Sequence, residues 1–335
     1  MNVSFIKSPV STLVLSAVML LVPPMFVSCK SGTGAGGPAP EIDAASVEFV
    51  GDSALALVRE QCSFGPRVPG SEASSRCGDW IVRSFTDLGL DVSEQKTTVK
   101  GWDGKSLPCR NIMARWKPEM QRRVVVFTHW DSRPWADQDP DSTHHRQPVM
   151  AANDGASGVA VMLEVARLLD KLNPNVGVDF VCFDVEDYGA PYWSGKSSEE
   201  DGWCLGSQYW ATHLPADYVK PEYGILLDMV GGMGTHFRYE YNSRRYAEAV
   251  VARVWAAAKN AGAEDYFLDA DGLATIDDHV PVNKEAGIPT IDIIGDSGNG
   301  FPLTWHTVSD TPENISPDVL KAVGQTLLQL LYEEE

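Results

Sequence analysis

Four apolar runs constrain this chain more than any other feature: Val124–Phe127, Val178–Phe183, Tyr223–Met229 and Pro289–Ile294, each separated from the next by segments of helical period. Short, nearly continuous apolar runs are the mark of strands covered on both faces. Between them, Gly158–Leu172 places Val161, Leu163, Val165, Leu168 and Leu169 at helical spacing, and Leu205–His213 and Arg244–Gly262 read as further helices. Pro317–Tyr332 closes the chain with Leu320, Val323, Leu327, Leu328 and Leu331 facing inward. Such alternation predicts parallel strands joined by crossover helices. Upstream, Ser53–Cys62 has helical spacing, Ser71 is placed to cap a helix to about Leu88, and Val92–Val99 and Asn111–Trp116 alternate as half-exposed strands. With 44% hydrophobic residues, 10 Trp and no internal repeat, the expectation is one α/β domain over residues 44–335. Its central sheet should be mixed, mostly parallel and flanked by helices.

The amino terminus has a different character. Lys7 precedes an apolar stretch from Val10 to Val22, broken by Pro23-Pro24 and ending at Phe26-Val27-Ser28-Cys29. Residues 1–29 read as an export signal whose end resembles a lipobox, with Cys29 as the lipidated residue; plain cleavage near Ser28 and a retained anchor are the competing readings. Residues 30–43, rich in Gly, Ala and Pro, read as a flexible tether. The expected location is therefore periplasmic, anchored through lipid at Cys29.

Export permits disulfides, and Cys62 and Cys77 flank a Gly- and Pro-rich loop that a bridge would close, whereas Cys182 sits in a strand pattern as a buried thiol. No Cys-x-x-Cys occurs, which disfavours a thiolate zinc site. Acidic residues outnumber basic ones 46 to 27, for a net charge of -19, and no basic stripe is present. Nucleic acid is excluded as a partner on that ground.

Polar residues gather where the strands end. His129-Trp130-Asp131 follows the first apolar run, Glu186-Asp187 the second, and Asp228 ends the third, while Asp154 precedes the helix from Gly158. Ligands of open α/β sheets collect at the carboxyl ends of strands. Adjacent carboxylates in extended backbone point to opposite sides, so one of Glu186 and Asp187 can hold a cation while the other faces substrate. Each residue has an ordinary alternative as a core histidine, a turn former or a helix cap; their joint placement points to a hydrolytic-type metal centre.

His129-Trp130-Asp131, Asn153-Asp154-Gly155-Ala156-Ser157-Gly158, Glu186-Asp187, Leu227-Asp228, Asp277-Asp278-His279 and His306 occur in the order seen in zinc aminopeptidases of the M28 type, and the chain resembles that family from about Phe64 onward. More narrowly, Trp305-His306-Thr307, Asp277-Asp278-His279 and Phe64-Gly65-Pro66-Arg67-Val68-Pro69-Gly70-Ser71 resemble the glutaminyl-peptide cyclotransferases built on the same fold. That resemblance implies one zinc per chain held by Asp154, Asp187 and His306, and Glu186 as acid/base. It further implies Asp228 and Asp277 as a hydrogen-bonded acidic pair, and peptides or proteins with an N-terminal Gln as substrates. Trp305 and Trp193 are candidate walls of the substrate pocket. The rival is a dinuclear aminopeptidase in which His129 and Asp228 hold a second zinc and Asp154 bridges. A non-catalytic binding module on the same fold is the third reading; the survival of every ligand argues against it.

Overall fold

In the computed structural model, residues 46–196, 202–298 and 300–334 are described. The signal, lipobox and tether readings for residues 1–43 lie outside them. Helices α1 (Gly51–Ser63) and α2 (Glu72–Asp87) lead into strands β1 (Asp91–Lys100), β2 (Ser106–Trp116) and β3 (Arg123–His129). Helix α3 (Ala156–Leu172), β4 (Gly177–Phe183), α4 (Leu205–Thr212), β5 (Tyr223–Asp228), β6 (Phe237–Tyr239) and α5 (Tyr241–Asn260) follow. Then come β7 (Phe267–Asp271), a tight helical segment over His279–Ala286, β8 (Thr290–Ile294) and α6 (Pro317–Tyr332). The Ser71 cap forms as expected, its side chain accepting the Ser74 N–H at 3.0 Å.

The six-stranded sheet has the order β1-β2-β4-β3-β5-β8. Its β4, β3, β5 and β8 are mutually parallel, and β1 and β2 join antiparallel at one edge. This is the mixed, mostly parallel sheet expected. The short parallel pair β6-β7 was not foreseen, because segments of three and five residues carry too little periodicity to register.

Alternation along β3 divides the core. Val124 and Val126 pack with Val178, Phe180, Ile225 and Ile291 beneath α1, α3, α5 and α6. Val125 and Phe127 face the other way, onto Val181, Phe183, Leu226 and Trp210 of α4. Phe127 stacks on Phe183 at 5.3 Å, and Trp210 meets both rings edge-on. Both faces of the parallel strands are thus covered, which leaves their carboxyl ends as the place where polar side chains can converge. Cys62 and Cys77 are buried free thiols rather than a bridge, burial pushing them up to about 11 and about 12, and Cys182 is a buried thiol as read.

Candidate metal centre and active site

The strand ends turn sharply. Val185, Met229 and His306 adopt positive φ, as do Ala151 and Cys204. Left-handed backbone is costly for residues with a β-carbon, by about 1–3 kcal/mol each, and collects where a site over-determines geometry. Here each turn re-aims the side chain beside it. After β4, the Asp131 carboxylate accepts the N–H groups of Glu186 and Asp187 at 3.1 and 3.2 Å, pinning the turn. The loop before α3 is held similarly: Asp310 accepts from Asn153 N at 2.7 Å and Asp154 N at 3.0 Å. Gly155, at φ 109°, and Gly158 let this loop close in, since a β-carbon on Gly158 would lie 2.1 Å from Thr128 Oγ1.

Asp154, Asp187 and His306 come together. His306 Nε2 is 3.5 Å from Asp154 Oδ2 and 3.3 Å from Asp187 Oδ1. His129, Asp154 and Asp228 form an adjoining triad, with His129 Nε2 3.0 Å from Asp154 Oδ1 and 3.3 Å from Asp228 Oδ1. Asp154 is shared. Its Oδ1 is engaged by His129, while Asp154 Oδ2 and Asp187 Oδ2 are buried without a hydrogen-bond partner. Unpartnered carboxylate oxygens on two aspartates that meet a buried imidazole suit the donor set of a zinc ion, so the residues fit that metal.

Glu186 lies beside Cys204 and Asp277, whose donor atoms are within 4.8 Å of its own. Its carboxyl is pushed well above the usual range, by burial first and then by Asp277 and Asp187, against the pull of His129. Burial also raises Asp154 and Asp228, with neighbouring carboxylates adding to it. Asp187 goes the other way: burial would raise it, but His306 and Arg133 outweigh burial. His129 is driven well up because Asp131, Asp154 and Asp228 overcome its burial. Asp277 is among the carboxylates that push Asp228 up. Asp228 faces His129, and Asp277 lies within 4.8 Å of His279 and Asp292.

Trp305 stacks on the His306 ring at 3.9 Å. The ring contacts of Trp193 are with Tyr192, His145 and Arg146, not with a triad residue. Sequence reasoning missed Trp203, whose ring lies parallel to His306 at 5.9 Å with the Arg133 guanidinium 4.7 Å from its centre. It missed Arg133 too. This buried guanidinium bonds Asp137 through Nε and Nη2 at 2.6 and 2.7 Å, and Asp187 through Nη1 at 2.9 Å, while Asp137 also sits 3.5 Å from His306 Nδ1. The only signal was a run of polar residues past His129, which reads as an ordinary loop.

Known proteins resemble this chain. The chain is 28% identical over 302 residues to the aminopeptidase YwaD of Bacillus subtilis, covering 87% of this chain but only 59% of that protein. A solved glutaminyl cyclase of Bacteroides thetaiotaomicron superposes with a TM-score of 0.84 at 43% identity, covering 86% of this chain and 99% of that one. A structure described as a leucine aminopeptidase precursor from the same species gives 0.83 at 43%, covering 86% and 98%. Residues 111–331, which carry the triads, Glu186 and Asp277, match the profile of the family to which these folds point: the chain belongs to peptidase family M28.

Proposed function

We propose that this protein is a one-zinc glutaminyl-peptide cyclotransferase that converts the N-terminal Gln of peptides or proteins to pyroglutamate with release of ammonia. The similar proteins carry both activities in their names, so likeness alone does not choose between them. The observation that carries the choice is the difference between the two triads. Ligand atoms around tetrahedral zinc, at about 2.0–2.1 Å from the metal, lie about 3.3–3.4 Å apart. His306 stands 3.3 Å from Asp187 and 3.5 Å from Asp154, matching that spacing. His129 Nε2 is 3.0 Å from Asp154 Oδ1, the distance of a hydrogen bond, and 3.3 Å from Asp228 Oδ1. The hydrogen bond from His129 to the shared Asp154 favours the Asp154-Asp187-His306 triad as the zinc site.

In this reading Asp154, Asp187 and His306 hold the ion. Zinc bound there supplies a Lewis acid for the γ-carboxamide oxygen. The substrate's free amine attacks its own γ-carbonyl, so no enzyme nucleophile is needed, and the pocket has to select the folded-back conformer. Trp305 and Trp203 offer flat apolar walls for it. Glu186 takes a proton from the attacking amine and returns it to the departing nitrogen. Asp277, within 4.8 Å of that carboxyl, and Asp228 serve as acceptors for the nitrogen's hydrogens. Asp187, one methylene shorter than a glutamate, reaches the triad because the left-handed Val185 turn and the Arg133 bond bring its carboxylate in.

The test is incubation of the zinc-loaded protein with a Gln-led peptide, read by mass. Loss of one ammonia with one zinc per chain, and loss of turnover on chelation, support the proposal. Release of the first amino acid with two zinc ions per chain would establish the aminopeptidase instead. We further propose export and lipidation at Cys29; among the described residues no helix is long and apolar enough to cross a membrane. Mass spectrometry of the mature amino terminus decides this, an unmodified terminus past Cys29 removing the lipid anchor.

A further inference from the structure

Beside the catalytic carboxyl lies a group for which the proposed reaction has no use. The Cys204 Sγ is 3.4 Å from Glu186 Oε1, and Glu186, Cys204 and Asp277 each place a donor atom within 4.8 Å of the other two. All three are buried, at 8%, 2% and 5% exposure. Asp277 Oδ2 has no hydrogen-bond partner among the described residues, and neither has Oδ2 of the adjacent Asp278. Acceptors there outnumber donors, the imbalance a cation relieves.

The donor set selects the cation. A thiolate with two carboxylates suits borderline-soft Zn2+ and softer Cd2+ and is poor for Mg2+ or Ca2+, which take oxygen alone. With zinc–sulfur and zinc–oxygen bonds of about 2.3 and 2.0 Å, a tetrahedral sulfur–oxygen edge is about 3.5 Å. The Cys204 S–H donates to Glu186 Oε1 at 3.4 Å, close to that edge, so a cation can take the place of the thiol proton between them. A path also exists. A groove of about 670 Å³ beside β1 and α4 has Trp203, Cys204 and Ile276 in its wall, and none of Asp154, Asp187 or His306 lines it.

We propose that Glu186, Cys204 and Asp277 form an inhibitory site for a thiophilic divalent cation, Zn2+ in excess or Cd2+, separate from the Asp154-Asp187-His306 triad. Binding breaks the Cys204 S–H bond, forms a metal–sulfur bond and releases that proton to solvent, with no change in oxidation state. The ion occupies the Glu186 carboxylate, so turnover falls as the site fills; this part rests on the role assigned to Glu186 above.

The test titrates CdCl2 into the zinc-loaded protein while following thiolate-to-cadmium charge-transfer absorption, zinc content and turnover together. Expected are an absorption saturating at one Cd2+ per chain with zinc retained, and turnover declining in step. In Cys204→Ala the absorption should vanish although Cys62, Cys77, Cys109 and Cys182 remain, and turnover should need about ten-fold more Cd2+ for the same inhibition. Absorption that persists in Cys204→Ala, or never develops in the wild type, overturns the site. Absorption that depends on Cys204 while turnover stays unchanged keeps the site but overturns its inhibitory role, and with it Glu186 as base. Should Cys204→Ala fail to fold, Asp277→Asn should still show the absorption but require about ten-fold more Cd2+ to reach it; unchanged affinity there overturns the three-ligand site.

Discussion

Asp137 lies outside the metal triad, yet Asp137→Ala should disturb both the fold and the metal. Its carboxylate takes two bonds from Arg133, at 2.6 and 2.7 Å, in a place where both side chains are almost wholly buried. Truncation leaves the guanidinium with Asp187 as its remaining anion. Breaking a buried ion pair by removing one partner costs about 3–5 kcal/mol. At 1.4 kcal/mol per factor of ten, the folding equilibrium of the zinc-free protein should shift by about two to nearly four powers of ten. The same change removes the carboxylate 3.5 Å from His306 Nδ1, which steadies the ring that presents Nε2 to the metal. Loss of such an orienting partner weakens zinc binding by about 10–100-fold. Urea unfolding in excess chelator isolates the first effect, and chelator competition at pH 7 measures the second. A loss below about 1 kcal/mol, the range of exposed pairs, together with unaltered zinc affinity, would refute the reasoning that Arg133, Asp137 and His306 act as one buried unit.

Glu186→Gln should keep its zinc while kcat falls by about 10²–10⁴-fold; a near-normal kcat with full zinc content would exclude Glu186 as the proton carrier. Asp310→Asn replaces one of two acceptors that hold the Asp154 loop with an amide N–H facing another donor. It should lower stability by about 1–3 kcal/mol and weaken zinc binding measurably, and an isostable variant with unchanged affinity would show that the loop holds itself. Glu240 caps α5 and sits 3.3 Å from His279, which, against the opposing effect of burial, helps bring its carboxyl down from 4.5 to about 2. A carboxyl whose folded value lies below its unfolded one adds stability that is fully present above the unfolded value and lost as pH falls through the folded one. Glu240→Gln should therefore flatten the fall in stability between about pH 4.5 and 2, and an acid limb as steep as that of the wild type would assign it to other carboxylates.

The sequence by itself determined the strands, the crossover helices and the ends at which the chemistry sits. These are local matters: apolar runs and helical spacing are written within a few residues of each position, and Asp154, Asp187 and Asp228 follow directly from them, whereas His306 enters only through the resemblance to a known family. Only the tertiary structure decided how those ends share their charges. Arg133 and Asp137 lie in a loop without period, and nothing near them in the chain reveals that they close on Asp187 and His306. Trp203 and Cys204 reach the centre through a left-handed turn that no propensity announces. Trp193, the weaker candidate from sequence, has its ring contacts with Tyr192, His145 and Arg146. The one-metal reading proposed above rests on distances of the same kind. Both triads are complete in the sequence, and a few tenths of an ångström between His129 and Asp154 separate a hydrogen bond from a ligand edge, a difference that only packing around the shared carboxylate can set.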